Sequence, residues 1–404
     1  MYMLRQACKA YGILGHRVLK SNLPQKGGST LKEFSVTLKE KLRQLDYVIL
    51  FCVLGMTALS IVTLAGAANK VGARYAIVQT IAALLGVCVM FVLAYLDYDK
   101  IVKRFGVWIF LLAVLAMVAV ILFGEGNRGN RAWLRIPGIP FDIQPSEYVK
   151  FLFIITYSRH IKRVQENINH IKNVAGLAVH GGIIFGLVLL TGDLGSALVY
   201  LGIIGVMLLV GGLSIWYFIG VFALLAAASP ILWNLLSETQ RQRIIYGFDP
   251  ESDPLHIGFQ ALHSRAAIAA GGFLGSGFSG GTQYETIPDC YSDFIFAILA
   301  EKFGFFGCFL YIALMTVLVI RLIWIARIAR KDYGAYICAG VVAVLMFQTL
   351  ENIGMCLAML PVIGITLPFM SYGGSSLLAM YMLIGLVQSI KCHNQKYFFE
   401  REKA

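Results

Sequence analysis

Long apolar runs with few charges follow one another along this chain from about residue 46 to residue 390. A helix needs roughly 20 apolar residues to cross the hydrocarbon core of a membrane. The fold class predicted is therefore an all-α, polytopic integral membrane protein. The runs and their polar breaks predict about ten transmembrane helices, at residues 46–66, 75–96, 105–123, 145–160, 175–191, 194–211, 214–234, 293–325, 334–360 and 368–390.

The composition excludes an ordinary soluble domain. The chain is 58% hydrophobic and 14% charged, whereas soluble domains are about 25% charged. The net charge of +12 does not indicate a nucleic-acid partner, because the basic residues lie in short clusters between apolar runs. Only Cys290 lies in a long polar loop, so no disulfide framework is predicted. No zinc, P-loop or dinucleotide motif is present.

Lysine and arginine are enriched in both tails and in every second loop, which predicts the orientation of the chain. Both termini are expected to be cytoplasmic, and an even number of spans follows, in agreement with about ten. The domains predicted are a basic cytoplasmic tail at residues 1–44, a membrane domain at 45–390 and a cytoplasmic tail at 391–404. The first tail could lie along anionic lipid or bind a partner.

Two loops on the predicted extracytoplasmic face are long, at residues 124–144 and 235–292. The second lies between the seventh and eighth spans and far exceeds the usual connection of about 4–6 residues. Its glycines and apolar stretches indicate a re-entrant or surface-lying structure rather than a loose coil. We therefore expect the functional site on the outer face of the membrane.

Ionisable residues within spans are functional candidates by default, since each costs about 2.5–3.5 kcal/mol to insert on translocon scales. The candidates of this kind are Glu147, Lys150, Asp193, Asp293, Glu301, Lys302 and Glu351.

Asp293 begins the eighth predicted span. One interpretation is that Ser292 or Asp293 caps the helix; the other is a carboxylate at the lip of a membrane cavity, able to accept a proton or hold a cation. Both interpretations hold if Ser292 caps the helix and the Asp293 side chain faces the cavity. Glu301 lies about 12 Å further along the helix, where an ion pair with Lys302, or a contact with a polar residue of another span, is favoured over catalysis.

The fourth span has a charged first turn. Pro145 suits a helix start, and Glu147 and Lys150 can either pair on one helix face or contact substrate. The preceding loop carries arginines suited to phosphate groups and a tryptophan suited to the membrane interface, although lipid headgroups are the alternative partner of the arginines. These residues are Arg128, Arg131, Trp133 and Arg135.

Taken together, the motifs resemble the SEDS family (shape, elongation, division and sporulation), which includes RodA and FtsW. The resemblance covers roughly residues 45–390 of the chain. Its motifs are Gln144-Pro145-Ser146-Glu147 with Lys150, Asp193-Leu194-Gly195, Gly271-Gly272 to Gly277, Asp293-Phe294-Ile295-Phe296 with Ala300-Glu301, Asn352-Ile353-Gly354-Met355, and Leu367-Pro368-Phe369-Met370-Ser371-Tyr372-Gly373-Gly374-Ser375-Ser376.

The resemblance implies a ten-span peptidoglycan glycosyltransferase. Such a protein polymerises lipid II into glycan strands on the outer leaflet and releases undecaprenyl pyrophosphate. It works with a class B penicillin-binding protein, a transpeptidase, within the elongasome or divisome, and a divalent cation, Mg²⁺ or Mn²⁺, aids it. Gly281-Thr282-Gln283 and the Asn352 motif favour a RodA-like role over an FtsW-like one.

The family's essential aspartate corresponds to Asp293, which is therefore the predicted catalytic residue and a candidate ligand of the cation. The residues predicted to bind substrate are Arg131, Trp133, Arg135, Glu147, Lys150, Arg265 and Ser375. The residues predicted to support the site are Ser292, Glu301, Asp193, Gln348 and Asn352.

The sequence departs from the family's usual pattern in three places. Lys302 stands where a second glutamate is usual, Ala132 stands where an arginine often precedes Trp133, and Tyr291-Ser292 replaces a His-Thr pair. These departures bear on the arginine and second-glutamate roles and leave Asp293 untouched.

Two other functions fit the charges within the spans. A flippase for lipid II would need access from both faces and polar groups near the midplane of the membrane. A scaffold of the division or elongation machinery would tolerate loss of Asp293. The motifs gather at the predicted outer ends of spans, which favours the enzyme.

Overall fold

The computed structural model describes residues 44–124, 131–135, 142–235, 238–256, 258–329 and 332–401. Twelve helices of eleven residues or more make up most of this described part. The helices are α1 (Tyr47–Gly66), α2 (Ala73–Tyr95), α3 (Tyr98–Phe123), α4 (Pro145–Val164), α5 (Ile171–Leu190), α6 (Leu194–Val210), α7 (Ile215–Leu235), α8 (Glu238–Phe248), α9 (Phe259–Gly271), α10 (Ile295–Ile328), α11 (Asp332–Cys356) and α12 (Gly374–Arg401).

The prediction of an all-α protein is confirmed for the described residues, whose only extended pairing is one antiparallel bridge between Leu134 and Ile143. A helix occupies each of the predicted apolar runs. Within the described part of the chain, seven helices are long and apolar enough to cross a membrane, and two more, Leu194–Val210 and Ile215–Ile231, are apolar but shorter. This pattern makes the chain a multi-pass membrane protein.

The starts of two helices differ from the predicted ones by more than five residues. Helix α3 begins at Tyr98 rather than at residue 105, because Asp97 caps it by accepting the N–H of Asp99 at 3.1 Å. Helix α12 begins at Gly374 rather than at residue 368, since Phe369 has a φ of +60°, which helices exclude. It continues to Arg401, through most of the predicted C-terminal tail.

Glycines bring the long helices close together. Gly86 of α2 faces the Tyr381 ring of α12, and Gly202 of α6 faces the Phe347 ring of α11. Small residues at such crossings let membrane helices pack by van der Waals contact. Outward-facing aromatic residues such as Trp216, 74% exposed, leave an apolar exterior suited to lipid.

The loops gather at two ends of the bundle. At one end, the Asp46 side chain caps α1 and accepts a hydrogen bond from Arg321 of α10 at 2.8 Å. The backbone N–H and carbonyl of Asp46 both bond to the side-chain amide of Gln388 of α12. At the other end lie the segments that follow α1, α3, α5, α7 and α11. This second end contains Asp293, and we refer to it as the Asp293 end.

Candidate functional site

Asp293 lies in a tight turn just before α10. Asp289, with a φ of +52°, accepts the N–H groups of Ser292 and Asp293 through its carbonyl oxygen at 3.1 and 3.2 Å. Phe294 is the N-cap of α10 and provides no side-chain bond, while the Ser292 hydroxyl donates back to the Asp289 carbonyl. The prediction that Ser292 caps the helix is therefore wrong, because the turn uses its hydroxyl before the helix begins.

The main chain around Asp293 is fixed by two other segments. The Asn352 amide, buried in α11, donates to the carbonyl oxygens of Asp293 and Ile365 at 2.7 and 2.6 Å. The Ser371 hydroxyl donates to the Ser292 carbonyl at 2.5 Å. Asn352, predicted to support the site, does so by joining the Asp293 turn to the segment that follows α11.

The Asp293 carboxylate is partly exposed, in the turn outside the Ile295–Ile328 segment. Burial among protein atoms, the negative charge of Asp289 and, more weakly, that of Asp193 raise its pKa to about 6, against a lowering effect of the Ser292 hydroxyl. A carboxylate of this kind is ionised at neutral pH yet more basic than an ordinary aspartate, as a general base requires.

Gly364 closes one side of the site. Its φ of +69° lies in the left-handed region, and a Cβ there would stand 3.3 Å from Asp293 Oδ2. Glycine therefore provides both the backbone conformation and the space beside the carboxylate.

Asp193, Gln144 and Ser375 form one polar network at this end. Asp193 caps α6 by accepting the Ser196 N–H at 2.9 Å through one oxygen, and it accepts the Gln144 side-chain amide at 2.9 Å through the other. The Gln144 N–H donates to the Ser375 hydroxyl at 3.0 Å. The starts of α4, α6 and α12 are thereby held together.

Glu147 and Lys150 form a buried ion pair of 2.6 Å within α4, as the structural interpretation of their spacing predicts. Oxygen atoms near this pair and along α11 are buried without a hydrogen-bond partner among the described residues. They belong to Ser146, Glu147, Gln348 and Glu351. Buried polar atoms of this kind usually bind ordered water or a ligand.

Glu301 binds the main chain of the long loop. Its two carboxylate oxygens accept the N–H groups of Gln283 and Tyr284 at 2.8 and 2.7 Å. The prediction of a partner in Lys302 or in another span is wrong, because the loop folds back over the start of α10 and places its own backbone there.

Lys302 provides the matching half of this contact. Its ammonium group donates to the carbonyl oxygens of Phe278 and Gly280, both at 3.0 Å. The lysine that replaces the second glutamate of the family thus binds acceptors while Glu301 binds donors. We call Glu301 and Lys302 the loop clamp.

Helix α10 is broken at Gly304, whose φ of +62° and ψ of −159° are not helical. Four backbone groups on the two sides of the break bond to the loop, since unpaired backbone groups are costly in an apolar environment. The bonds run from Phe305 and Phe306 N–H to the carbonyls of Gly272 and Phe273, and from Ser276 and Gly277 N–H to the carbonyls of Glu301 and Lys302.

The predicted arginine and tryptophan contacts lie at the surface. Arg131 is exposed, Trp133 is 37% exposed, and Arg135 pairs with Asp142 at 3.2 Å. Arg265 on α9 pairs with Glu251 at 2.7 Å. Arg128 and most of the predicted basic tail, residues 1–44, lie outside the described residues.

Sequence reasoning missed Asp289 and Ser371, which shape the Asp293 turn. The Pro288-Asp289 pair is a turn signal that could have indicated the first. Nothing local to Ser371 predicts its bond to Ser292, because the two residues meet only through the fold.

The described residues contain no cluster of three or more His, Cys, Asp or Glu side chains suited to a metal. Asp193 uses both of its oxygens within the protein. A divalent cation would therefore bind to the Asp293 carboxylate with the remaining ligands from water and substrate phosphate, as Mg²⁺ commonly does.

Comparison with known proteins finds matches over most of the chain. The model of the FtsW, RodA and SpoVE family of cell cycle proteins matches residues 41–396. Peptidoglycan glycosyltransferase MrdB of Escherichia coli (strain K12) is 37% identical over 319 residues, which cover 77% of this chain and 84% of that protein.

Solved structures share the fold. One matching chain comes from a structural study of how a peptidoglycan synthase complex coordinates polymerization and crosslinking. Its TM-score is 0.76 at 30% identity, and the match covers 87% of this chain and 98% of that one. The Rod shape determining protein RodA of Thermus thermophilus matches with a TM-score of 0.65 at 26% identity, over 86% and 96%.

Proposed function

Because the chain belongs to the FtsW, RodA and SpoVE family, we propose that it is a peptidoglycan glycosyltransferase that polymerises lipid II into glycan strands. Its relative MrdB carries that activity in its name. The observation that carries the proposal within this chain is Asp293, a carboxylate of raised pKa on a backbone fixed by Asn352 and Ser371.

The reaction joins a sugar hydroxyl to the anomeric carbon of a second sugar and releases a pyrophosphate. Asp293 accepts the proton of the attacking hydroxyl, so that the new C–O bond forms as the bond to the leaving phosphate breaks. The rigid turn places the carboxylate before substrate arrives, which limits the entropy lost in the transition state.

Negative charge on the leaving pyrophosphate requires cations. We propose Arg131, Arg135, Lys150 and Arg265 for this role, with Arg131 first because its side chain is exposed at the Asp293 end. A divalent cation, Mg²⁺ or Mn²⁺, held by Asp293 and substrate phosphate, would share this neutralisation.

Ten spans with both termini in the cytoplasm are part of the proposal. The support is the enrichment of lysine and arginine in alternate loops and the gathering of the site residues at one end of the bundle. In this proposed topology, Asp293 lies at the outer face of the bacterial inner membrane, where lipid II would be polymerised.

A class B penicillin-binding protein is the proposed partner. The solved structure with a TM-score of 0.76 comes from a peptidoglycan synthase complex that coordinates polymerization with crosslinking. The Gly281-Thr282-Gln283 motif and the match to the Rod shape determining protein RodA of Thermus thermophilus favour a role in elongation rather than division.

Purified protein incubated with lipid II in detergent tests the activity. We expect glycan polymer from the wild type and a loss of roughly 100-fold or more in Asp293→Asn, the scale of general base catalysis. Circular dichroism and thermal unfolding should show Asp293→Asn to be folded. Polymerisation above a tenth of the wild-type rate would exclude Asp293 as the base.

The detergent assay and a growth assay distinguish the proposed enzyme from the two alternative functions. A flippase requires a membrane and yields no polymer in detergent, and a scaffold supports growth of cells that carry Asp293→Asn. Addition of EDTA followed by Mg²⁺ or Mn²⁺ tests the cation: a rate unchanged by the chelator would contradict it.

A further inference from the structure

Three tyrosine rings converge beside Asp293 from three separate segments of the chain. Tyr75 lies in the first turn of α2, Tyr291 two residues before Asp293, and Tyr372 just before α12. The ring centroids are 4.3 Å apart for Tyr75 and Tyr291, 4.6 Å for Tyr75 and Tyr372, and 5.7 Å for Tyr291 and Tyr372. We call these residues the tyrosine cluster.

The cluster is rigidly attached to the site. The Tyr372 N–H donates to the Tyr291 carbonyl at 3.0 Å, and the Tyr291 hydroxyl donates to Asp289 Oδ1 at 3.1 Å. Next to these bonds, Ser371 holds the Ser292 carbonyl. The same turn that positions the Asp293 carboxylate therefore positions the rings.

The exposed fraction of its rings distinguishes the tyrosine cluster from the aromatic residues of the core and from those that face lipid. Tyr157 and Tyr381 are fully buried, whereas Trp216 and Phe222 on α7 are 74% and 73% exposed. All three cluster rings are half-buried. Interfacial aromatic belts lie around the outside of a bundle, but these rings pack on one another next to a reactive carboxylate.

We propose that the tyrosine cluster is a saccharide-binding subsite that holds the acceptor end of the glycan beside Asp293, an inference that rests on the proposed function. A pyranose ring has one face made of C–H groups, which packs against the negative face of an aromatic ring. Its hydroxyl and acetamido groups can hydrogen-bond to the tyrosine hydroxyl groups.

Such a subsite has a kinetic consequence. An aromatic surface that holds the strand between additions keeps the acceptor hydroxyl close to the base. Loss of the rings should raise the acceptor KM and shorten the product strands, with a smaller effect on kcat.

The test compares ring removal with hydroxyl removal. Tyr75→Leu and Tyr372→Leu remove a ring, Tyr75→Phe and Tyr372→Phe keep it, and Phe309→Leu removes an exposed ring of α10 outside the cluster. Binding of chitotetraose, a soluble oligomer of N-acetylglucosamine, is measured on purified protein in detergent by saturation-transfer NMR and calorimetry. Lipid II polymerisation, with product length on gels, is measured in parallel.

We expect the leucine variants of the cluster to bind chitotetraose roughly ten-fold more weakly than the wild type, the equivalent of about 1.4 kcal/mol, and to make shorter strands. The phenylalanine variants and Phe309→Leu should bind within about three-fold of the wild type, a difference under 1 kcal/mol. Equal binding by the leucine variants, or no binding by the wild type, would overturn the subsite.

The binding arm needs no catalysis, so it separates the two proposals. Wild-type protein that polymerises lipid II but binds chitotetraose equally with and without the rings retains the proposed function and loses the subsite. Wild-type protein that makes no polymer loses the proposed function, whatever its oligosaccharide binding shows.

Discussion

At the scale of the residue, the surroundings of Asp293 set the pH dependence of the reaction. Burial and the nearby Asp289 charge raise its pKa to about 6, and a general base must be deprotonated to act. Activity should therefore be high at neutral pH and fall as the pH decreases through about 6. Initial rates of lipid II polymerisation between pH 5 and 8 would measure this.

The variant Asp289→Asn tests whether Asp293 sets this pH dependence. Removal of the neighbouring negative charge should lower the pKa of Asp293, so the acid limb of the rate profile moves to lower pH. An acid limb that stays in place in this variant would show that a group other than Asp293 controls the rate.

Asn352 positions Asp293 through the backbone, and its role can be isolated. Asn352→Asp keeps the shape of the side chain but removes both donated hydrogen bonds, which leaves two buried carbonyl oxygens short of a donor. We expect a loss of roughly 1–3 kcal/mol in stability from unmet hydrogen bonds and a drop in kcat with little change in KM.

A matched control lies at the opposite end of the bundle. Asn169 also donates its amide to a backbone carbonyl, that of Gly212, at 3.3 Å. Asn169→Asp should leave kcat unchanged. An equal loss of kcat in both variants would contradict a specific role for Asn352.

Residue types near Asp293 were predictable, and their partners were not. The cost of a charge within a span and the family motifs together indicate Asp293 and Asn352. The bonds from Asn352 to Asp293 and Ile365 join positions far apart in the chain, so they follow only from the fold. Ser292 illustrates the opposite failure, since a local capping rule is overridden by the Asp289 turn.

At the scale of the element, the loop clamp joins the long loop to α10. Lys302→Met keeps the aliphatic length but removes the donors to Phe278 and Gly280. Because the segment from Gly277 to Tyr284 loses these bonds, its backbone amides should exchange with solvent faster, and polymerisation should fall several-fold. Hydrogen–deuterium exchange measures the first effect directly.

Lys103→Met is the matched control for the clamp. Lys103 of α3, whose side chain is 57% exposed, pairs with the largely buried Asp99 at 3.1 Å, at the end of the bundle opposite the long loop. This variant should leave exchange in the long loop unchanged. Unchanged loop exchange in Lys302→Met as well would show that the clamp does not order the loop.

The helices themselves were predictable because apolar run length and polar breaks are local properties. The errors lie where backbone geometry ends a run, as at Phe369, whose positive φ delays the start of α12. The break at Gly304 was not predicted, since this residue lies within one continuous predicted span and the loop backbone that completes the break lies at residues 272–277.

At the scale of the whole molecule, the two ends of the bundle have different roles. The Asp293 end combines the carboxylate, the loop clamp and the polar network of Asp193 and Gln144. The other end holds the helices through Asp46, Arg321 and Gln388. Polymerisation on the outer leaflet requires that the Asp293 end face outward, so the proposed function and the proposed topology depend on one another.

Cysteine labelling measures that topology. Leu255 lies in the loop between α8 and α9 at the Asp293 end and is 79% exposed, and the exposed Asn167 lies between α4 and α5 at the other end. A membrane-impermeant maleimide added to spheroplasts should modify Leu255→Cys and leave Asn167→Cys unmodified, and inside-out vesicles should reverse the pattern. The wild type gives the background, since six of the seven described native cysteines are buried. Labelling of Asn167→Cys in intact spheroplasts would place the Asp293 end in the cytoplasm, where the carboxylate could not act on lipid II of the outer leaflet.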